Sequence, residues 1–295
     1  MATRTLDPKE IETAQLHGLL LSGIAPRPIA FASTVDGEGN VNLSPFSFFN
    51  VFSANPPILI FSPARRVRDN TTKHTLENTI ETKEVVINTV NFSMVEQMSL
   101  ASTEYGKGVN EFTKAGLTPV PSVKVKPPRV KESPVSFECI VENVMPLGKE
   151  GGAGNLVIAR VVLIHIDDAY INEKGNLDTR KLDMVARMGE SWYCRASKDA
   201  LFEIPKPVFT KGIGVDKLPK HILESEILTG NNLGRLGNSE KLPTYEEIST
   251  FLGKNKEVQT MVSNKDIPAL HTKIKEFLKE ENVSKAILVA FSLNK

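Results

Sequence analysis

Residues 62–75 of the 295-residue chain, SPARRVRDNTTKHT, gather the three kinds of donor that a phosphate ester calls for. Arg65, Arg66, Arg68 and Lys73 supply cations, and Ser62, Thr71, Thr72 and Thr75 supply hydroxyls. The spacing places a helix over residues 73–83, whose first turn offers free N–H groups and the positive end of its dipole. Asn78, one turn beyond Thr75, points the same way. A solvated basic loop with a threonine helix cap accounts for the same residues, so the loop alone leaves both readings open.

The stretch NLSPFSFFN, residues 42–50, is the second candidate. In a strand, Ser44, Phe46 and Phe48 face one way and Pro45, Ser47 and Phe49 the other, so each face carries a hydroxyl and a ring. A flat ring system such as a flavin uses apolar packing on its faces and hydrogen bonds along its polar edge. Pro45 leaves one ladder position without an N–H, which marks an edge or a bulge. Taken alone, the stretch reads better as core phenylalanines with internally satisfied serines.

The remaining chemistry-bearing residues point to no other site. The chain has no HExxH, EF-hand loop, GxGxxG, GxxxxGK[ST] or GxSxG pattern. Its five histidines, at 17, 74, 165, 221 and 271, are too dispersed in sequence for a metal centre, and none is expected. His165, in an apolar strand, reads as a hydrogen-bonded core residue. Trp192 reads as core, while Tyr193 fits either core or a lid over a planar ligand. Cys139 and Cys194 read as small buried side chains. Gly148–Gly154 reads as a flexible hairpin tip, because no Lys-Ser/Thr follows its glycines.

Composition narrows the class. Apolar residues make up 40% and charged residues 24%, as in an ordinary soluble protein, and a net charge of +1 gives no reason to expect nucleic acid or an anionic membrane. Two distant cysteines form neither a disulfide framework nor a CxxC site, so reduced thiols and a cytoplasmic location are expected. The apolar run 19–25 is preceded by acidic residues and ends in Pro26-Arg27-Pro28, unlike a signal peptide, and no stretch spans a bilayer.

Around the two candidates, the spacing predicts mostly strands. A short helix is expected within 8–22, then a hairpin with arms 29–35 and 41–53 about the Asp36–Asn40 turn cluster. The run ILIFS gives a buried strand, and the helix at 73–83 carries Leu76 and Ile80 on one face. Strand returns at 84–90, and helix at 91–103 with Asn91 or Ser93 as N-cap. Residues 104–134 read as a surface excursion with little regular structure, apart from a helical turn at Glu111–Gly116. Two long strands follow, 135–146 and 156–167, and then the turn 172–176. Residues 177–188 are ambiguous, and SWYCR at 191–195 is a last aromatic segment. From 206 the texture becomes Gly-, Asn- and Pro-rich and then helical, with Leu270, Ile274, Phe277 and Leu278 on one stripe. Two domains are therefore expected, 1–205 and 206–295. Hairpin-linked strands with one strand–helix–strand insertion make the first a mainly β antiparallel barrel.

Several motifs in order carry a family resemblance. PRPIAFASTVDGEGNVNLSPFSFFNVFSANPPILIFSP with RRVRDNTTKHTLEN, then EQMSLASTEY, FTKAGLTPVPS, PPRVKESPVSFEC, GNLVIARVVLIHID and LDMVARMGESWYCRA, resemble the flavin reductase-like proteins of the FMN-binding split-barrel group, which includes the flavoredoxins. The resemblance covers about residues 18–205. It implies a six-stranded antiparallel Greek-key split barrel with flanking helices, here with a C-terminal helical extension, and a homodimer with FMN near the subunit interface. Electrons would pass from NADH or NADPH onto FMN and then to free flavin, a partner oxidoreductase or another acceptor.

Carried onto this sequence, the resemblance sets Ser33, Thr34, Asn42, Leu43, Ser44, Pro45 and Ser47 along the isoalloxazine and ribityl chain. It sets Ser62, Arg65, Arg68, Thr71, Thr72, Lys73, Thr75 and Asn78 around the phosphate. No catalytic side chain is implied, because the cofactor carries the hydride chemistry. Members often have Asp before the threonine matched by Thr75, where this chain has His74, which either favours phosphate or caps the helix differently. The expected function is an NAD(P)H-dependent flavin reductase. The alternatives are a flavoredoxin-like electron carrier reduced by a partner protein and, against the retained loop, an interaction protein with a vestigial barrel.

Overall fold

The computed structural model describes residues 2–204 and 211–293. The chain divides into two compact units, Met1–Phe202 and Glu203–Lys295. The change of texture read at 205–206 falls outside the described residues.

The first unit begins with helix α1 (Thr13–Gly23), followed by strands β1 (Ala30–Val35), β2 (Val41–Phe46), β3 (Phe49–Ala54) and β4 (Pro57–Phe61). Helix α2 (His74–Thr82), strand β5 (Glu84–Asn88) and helices α3 (Val95–Leu100) and α4 (Glu111–Ala115) come next. Short strands β6 (Pro119–Val120) and β7 (Arg129–Val130) precede the long pair β8 (Val135–Pro146) and β9 (Asn155–Ile166). Helix α5 (Thr179–Leu182) and the small hairpin β10 (Val185–Arg187) and β11 (Tyr193–Arg195) complete it.

The principal sheet has seven strands in the order β2-β1-β5-β8-β9-β4-β3, all paired antiparallel, where the sequence reading expected six. The extra strand has a simple origin. The expected arm 41–53 is interrupted at Ser47-Phe48, so its first half pairs with β1 and its second half with β4. The two edge strands are thus consecutive in the chain, and counted as one bent strand they restore six. Pro45 lies on the edge strand β2, opposite Phe31, where a missing N–H is tolerated.

All six residues of β1 are buried, which places that strand between two apolar layers. Ala30 and Ala32 join Phe46, Phe61, Leu76, Ile87, Cys139 and Val157 in one. Phe31 joins Leu43, Val90, Met94, Met98 and Phe112 in the other. Burial pushes the Cys139 thiol well up, as suits an inert packing residue. Beyond the strands, Arg27 ties down the end of α1. Its guanidinium donates to the carbonyls of Leu21, Ile24 and Met188 and to Ser47 Oγ, while its backbone exchanges both hydrogen bonds with Arg187.

Two local expectations are corrected and a third is extended. Ile80 does not share the buried face with Leu76; it is half exposed, and Thr75, Asn78 and Thr79 fill that face instead. Within 104–134 the expected helical turn is α4, capped by Asn110 at one end and by left-handed Gly116 at the other, and the short β6–β7 pair is added to it. Trp192 is not core. It sits in the turn that joins β10 to β11, where its backbone closes the turn by bonding Met188 and Gly189, and its side chain is 72% exposed.

The second unit is helical: α6 (Lys220–Leu223), α7 (Gly230–Gly237), α8 (Tyr245–Lys254), α9 (Lys256–Ser263), α10 (Ile267–Lys279) and α11 (Val283–Ala290). Capping boxes at Thr229 and Thr244 start α7 and α8, and the Asp266 side chain caps α10. Leu270, Ile274, Phe277 and Leu278 of α10 are buried with Ile222, Leu236, Phe251, Val258 and Val289, so the stripe read in the sequence is this unit's own core.

Candidate functional site

Helix α2 begins where the basic loop turns inward. Lys73 is extended and no side chain caps the first turn; the Leu76 N–H is taken by the Lys73 carbonyl, and the two residues ahead of it, His74 and Thr75, border an open space. That space is a cavity of about 220 Å³, lined by Asn42 and Ser44 of β2, by Arg66, Lys73, His74 and Thr75, by Ala101–Tyr105, and by Glu111 of α4.

The candidate residues divide into those that reach the cavity and those that build its support. Asn42, Ser44, Lys73 and Thr75 line it, with Asn42 Nδ2 donating to Thr75 Oγ1 at 2.8 Å. Behind them, Asn78 Nδ2 donates to Thr34 Oγ1 at 3.1 Å and fastens α2 to β1. Arg65 is folded onto its own loop, with Nε and Nη2 each 2.6 Å from acceptors of Asn70. Arg68 is exposed and pairs with Asp69 and Glu104. Thr71 donates to Asp69 Oδ1, and Thr72 donates to Glu77 Oε1. Ser62 Oγ accepts from the N–H of Asn155.

Four candidates lie away from the cavity. Leu43 belongs to the apolar layer beneath α3 and α4, Pro45 points to that same side of β2, and Ser47 accepts from Arg27. Ser33 is fully buried and its Oγ has no hydrogen-bond partner among the described residues. Of the three arginines, Arg66 is the one that lines the cavity. Its guanidinium reaches Thr71 Oγ1, the Thr72 carbonyl and Glu104.

Lys73 is electrically unlike its neighbours. Burial and the nearby Arg66 lower its pKa, while Glu104 opposes the shift. Its ammonium lies 5.1 Å from the centre of the Phe46 ring and forms no ion pair among the described residues. A half-buried cation whose nearest carboxylate, Glu104, stays outside ion-pair distance is a site where an added anion is stabilised.

Two contributors were not among the candidate residues. The wall 101–105 closes the quoted run EQMSLASTEY, but with one acidic and no basic residue its types do not point to a phosphate. Glu111 is buried beside the cavity. Burial raises its carboxyl pKa against the opposing hydrogen bond that its Oε2 accepts from the N–H of Leu43 at 2.9 Å. That bond satisfies a backbone donor of edge strand β2 and holds Asn42 and Ser44 in place.

The glycine-rich tip between β8 and β9 is fastened rather than free. Arg65 N–H donates to the Ala153 carbonyl, Gly152 N–H to the Arg65 carbonyl, and Asn155 Nδ2 to the Pro63 carbonyl. A Cβ on Gly151 would stand 3.0 Å from the Val67 carbonyl oxygen and 3.1 Å from that of Arg66. Gly151→Ala is therefore expected to displace the basic loop. The cost is about 1–3 kcal/mol of stability by overpacking, with a parallel loss of anion affinity, checked by thermal melts and phosphate titration. An unchanged melt and titration would show that the loop does not lean on this tip.

Among the described residues, no group of three or more His, Cys, Asp or Glu is placed to hold a metal ion, and no helix is long and apolar enough to cross a membrane.

Comparison with known proteins matches residues 22–181 to the family model described as flavin reductase like domain. An uncharacterized protein of Aquifex aeolicus (strain VF5) is 39% identical over 188 residues, 64% of this chain and 93% of that protein. The crystal structure of nitrilotriacetate monooxygenase component B from Bacillus cereus is similar with a TM-score of 0.64 and 32% identity, covering 69% of this chain and 100% of that one. A protein assigned as a flavin reductase with a split barrel domain, from Shewanella frigidimarina NCIMB 400, matches with a TM-score of 0.57 and 30% identity over 67% of this chain and 95% of that one. About a third of this chain has no counterpart in these proteins.

Proposed function

The chain belongs to the flavin reductase-like family, and on that premise we propose that its first unit binds FMN, accepts a hydride on it from NADH or NADPH, and passes the electrons to free flavin or another acceptor. The observation that carries the reading is Lys73, a half-buried ammonium without an ion-pair partner among the described residues, at the uncapped start of α2. A phosphate there would meet the lysine, the first N–H groups of the helix and the Thr75 hydroxyl together. Asn42 and Ser44 offer amide and hydroxyl groups on the β2 side, next to the Phe46 ring.

FMN, when bound, supplies the hydride-accepting centre. The chain's own part is to hold and orient. Lys73 and the α2 terminus fix the phosphate end, while Arg65, Thr71, Thr72, Ser62 and Asn78 keep the loop and helix in shape through the bonds described above. Glu111 keeps β2 in register with α4. No side chain at the cavity is assigned a proton-transfer role.

The proposal extends to a homodimer with FMN near the interface. Helix α1 buries none of its residues and exposes Leu19 and Leu20, and β3 exposes Val51 and Phe52 on an edge strand. Edges and apolar faces of this kind are covered by a partner in stable proteins, and sedimentation at micromolar concentration should report twice the chain mass. A reducing compartment, the cytoplasm, is proposed from the two unpaired thiols.

Titration of the purified protein with FMN tests the binding claim. One FMN per chain, held more tightly than riboflavin, is the expected result; no uptake of either flavin refutes it. An electron carrier reduced by a partner protein would use the same cavity, and only direct reduction by a nicotinamide separates the two.

A further inference from the structure

Glu104 stands at the centre of the cationic wall. It reaches from the segment after α3 to the loop before α2, with Oε1 3.0 Å from Arg66 Nε and Oε2 3.2 Å from Arg68 Nη2. Its charge is also the one that opposes the lowering of the Lys73 pKa. One carboxylate therefore answers three cations.

That contact is built to be displaced. The Glu104 side chain is half exposed in both pairs and Arg68 more so, which makes the Arg68 pair weak, while Arg66 is the more sheltered partner at 21%. A phosphate monoester near neutral pH carries close to two charges and three strong acceptor oxygens, against the single charge of a carboxylate. Its oxygens can engage Lys73 and the α2 N–H groups as well as Arg66, whereas the Glu104 carboxylate forms no hydrogen bond or ion pair with Lys73.

The geometry points to Glu104 as a built-in competitor for the ligand's anion: its carboxylate holds Arg66 and Arg68 until a dianionic phosphate takes its place, and it disfavours singly charged ligands. This deepens the FMN reading of the same cavity and rests on it for the identity of the phosphate's owner. The consequence is selectivity. The site gives up some affinity for every anion but rejects carboxylates, which cannot out-compete an internal one.

The test is Glu104→Gln in the full chain, titrated with FMN, riboflavin and inorganic phosphate. FMN and phosphate are expected to bind about three- to tenfold more tightly than to the wild type, with riboflavin unchanged. The gain should vanish when the same substitution is made on an Arg66→Gln, Arg68→Gln background. Unchanged or weaker phosphate and FMN binding in Glu104→Gln overturns the proposal. So does a gain that persists without the two arginines, because Glu104 would then act through space alone. Failure of both flavins to bind the wild type refutes the FMN reading instead, and the phosphate titration still decides the role of Glu104.

Discussion

Lys73→Met is expected to weaken FMN binding about ten- to a hundredfold, as loss of one charge-assisted contact of roughly 1.5–3 kcal/mol requires, while the ligand-free protein melts at the same temperature or higher. The two halves of this result have one cause. Burial holds the Lys73 pKa below its usual 10.5, so at neutral pH the folded state carries the cost of a desolvated ammonium. For a base with a lowered folded pKa, that cost is present below the folded pKa and is relieved as pH rises through it toward the unfolded value. Methionine keeps a flexible chain of similar length against Phe46 and removes the charge. FMN titration beside thermal melts of the ligand-free protein checks both halves. A joint fall in affinity and melting temperature would make Lys73 a structural residue rather than a ligand-holding one.

The second large effect lies away from the cavity. Glu138 on β8 is fully buried, and its carboxylate accepts from the N–H groups of Val123 and Lys124 at 2.8 and 2.5 Å. It also meets His165 Nε2 at 2.6 Å. Burial would raise its pKa, but the two N–H groups and the imidazole outweigh burial and leave it below 4.5. Glu138→Ala strands these donors and is expected to cost about 3–5 kcal/mol, read by denaturant unfolding at neutral pH. The sign with pH follows: the carboxylate's contribution is complete above the unfolded value of 4.5 and is lost as pH falls through the lowered folded value. The gap between wild type and variant should therefore close in acid, and a gap that stays constant to about pH 3 would assign the loss to packing instead.

Much of the framework was legible because its signals are local. The β1–β2 hairpin is written in alternation around Asp36–Asn40, and Asp36 Oδ1 accepts from the N–H groups of Glu38 and Asn40 as an Asx turn should. The β-branched run 156–166 forms β9, and the Leu270–Leu278 stripe forms the buried face of α10. Periodicity does not show where a strand bends, and so Ser47-Phe48 yields two strands from one expected arm.

The site was legible in kind and less so in detail. Three arginines in four positions carry no period that says which one faces inward. That choice is made by their partners: Arg65 folds onto Asn70, Arg68 turns out to Asp69, and Arg66 stays at the cavity on the Thr72 carbonyl and Glu104, which Arg68 shares. His74 and the wall 101–105 meet there only because α2, α3 and β2 converge, and the bond from Leu43 to Glu111 spans 68 positions of sequence. Trp192 misled because aromatic type suggests burial, whereas a tight hairpin turn fixes where the side chain points. The glycine-rich tip misled in the opposite sense, since its flexibility is spent on a close approach to the Arg66–Val67 carbonyls.

Flavin held at this cavity is proposed to take a hydride directly from a nicotinamide. Anaerobic stopped-flow mixing of the FMN-loaded protein with NADH and, separately, with NADPH follows it at the oxidised-flavin absorbance. Bleaching that saturates with at least one of the two donors is the predicted result. Flavin that stays oxidised with both, while a chemical reductant bleaches it, would contradict the account and leave an electron carrier in its place.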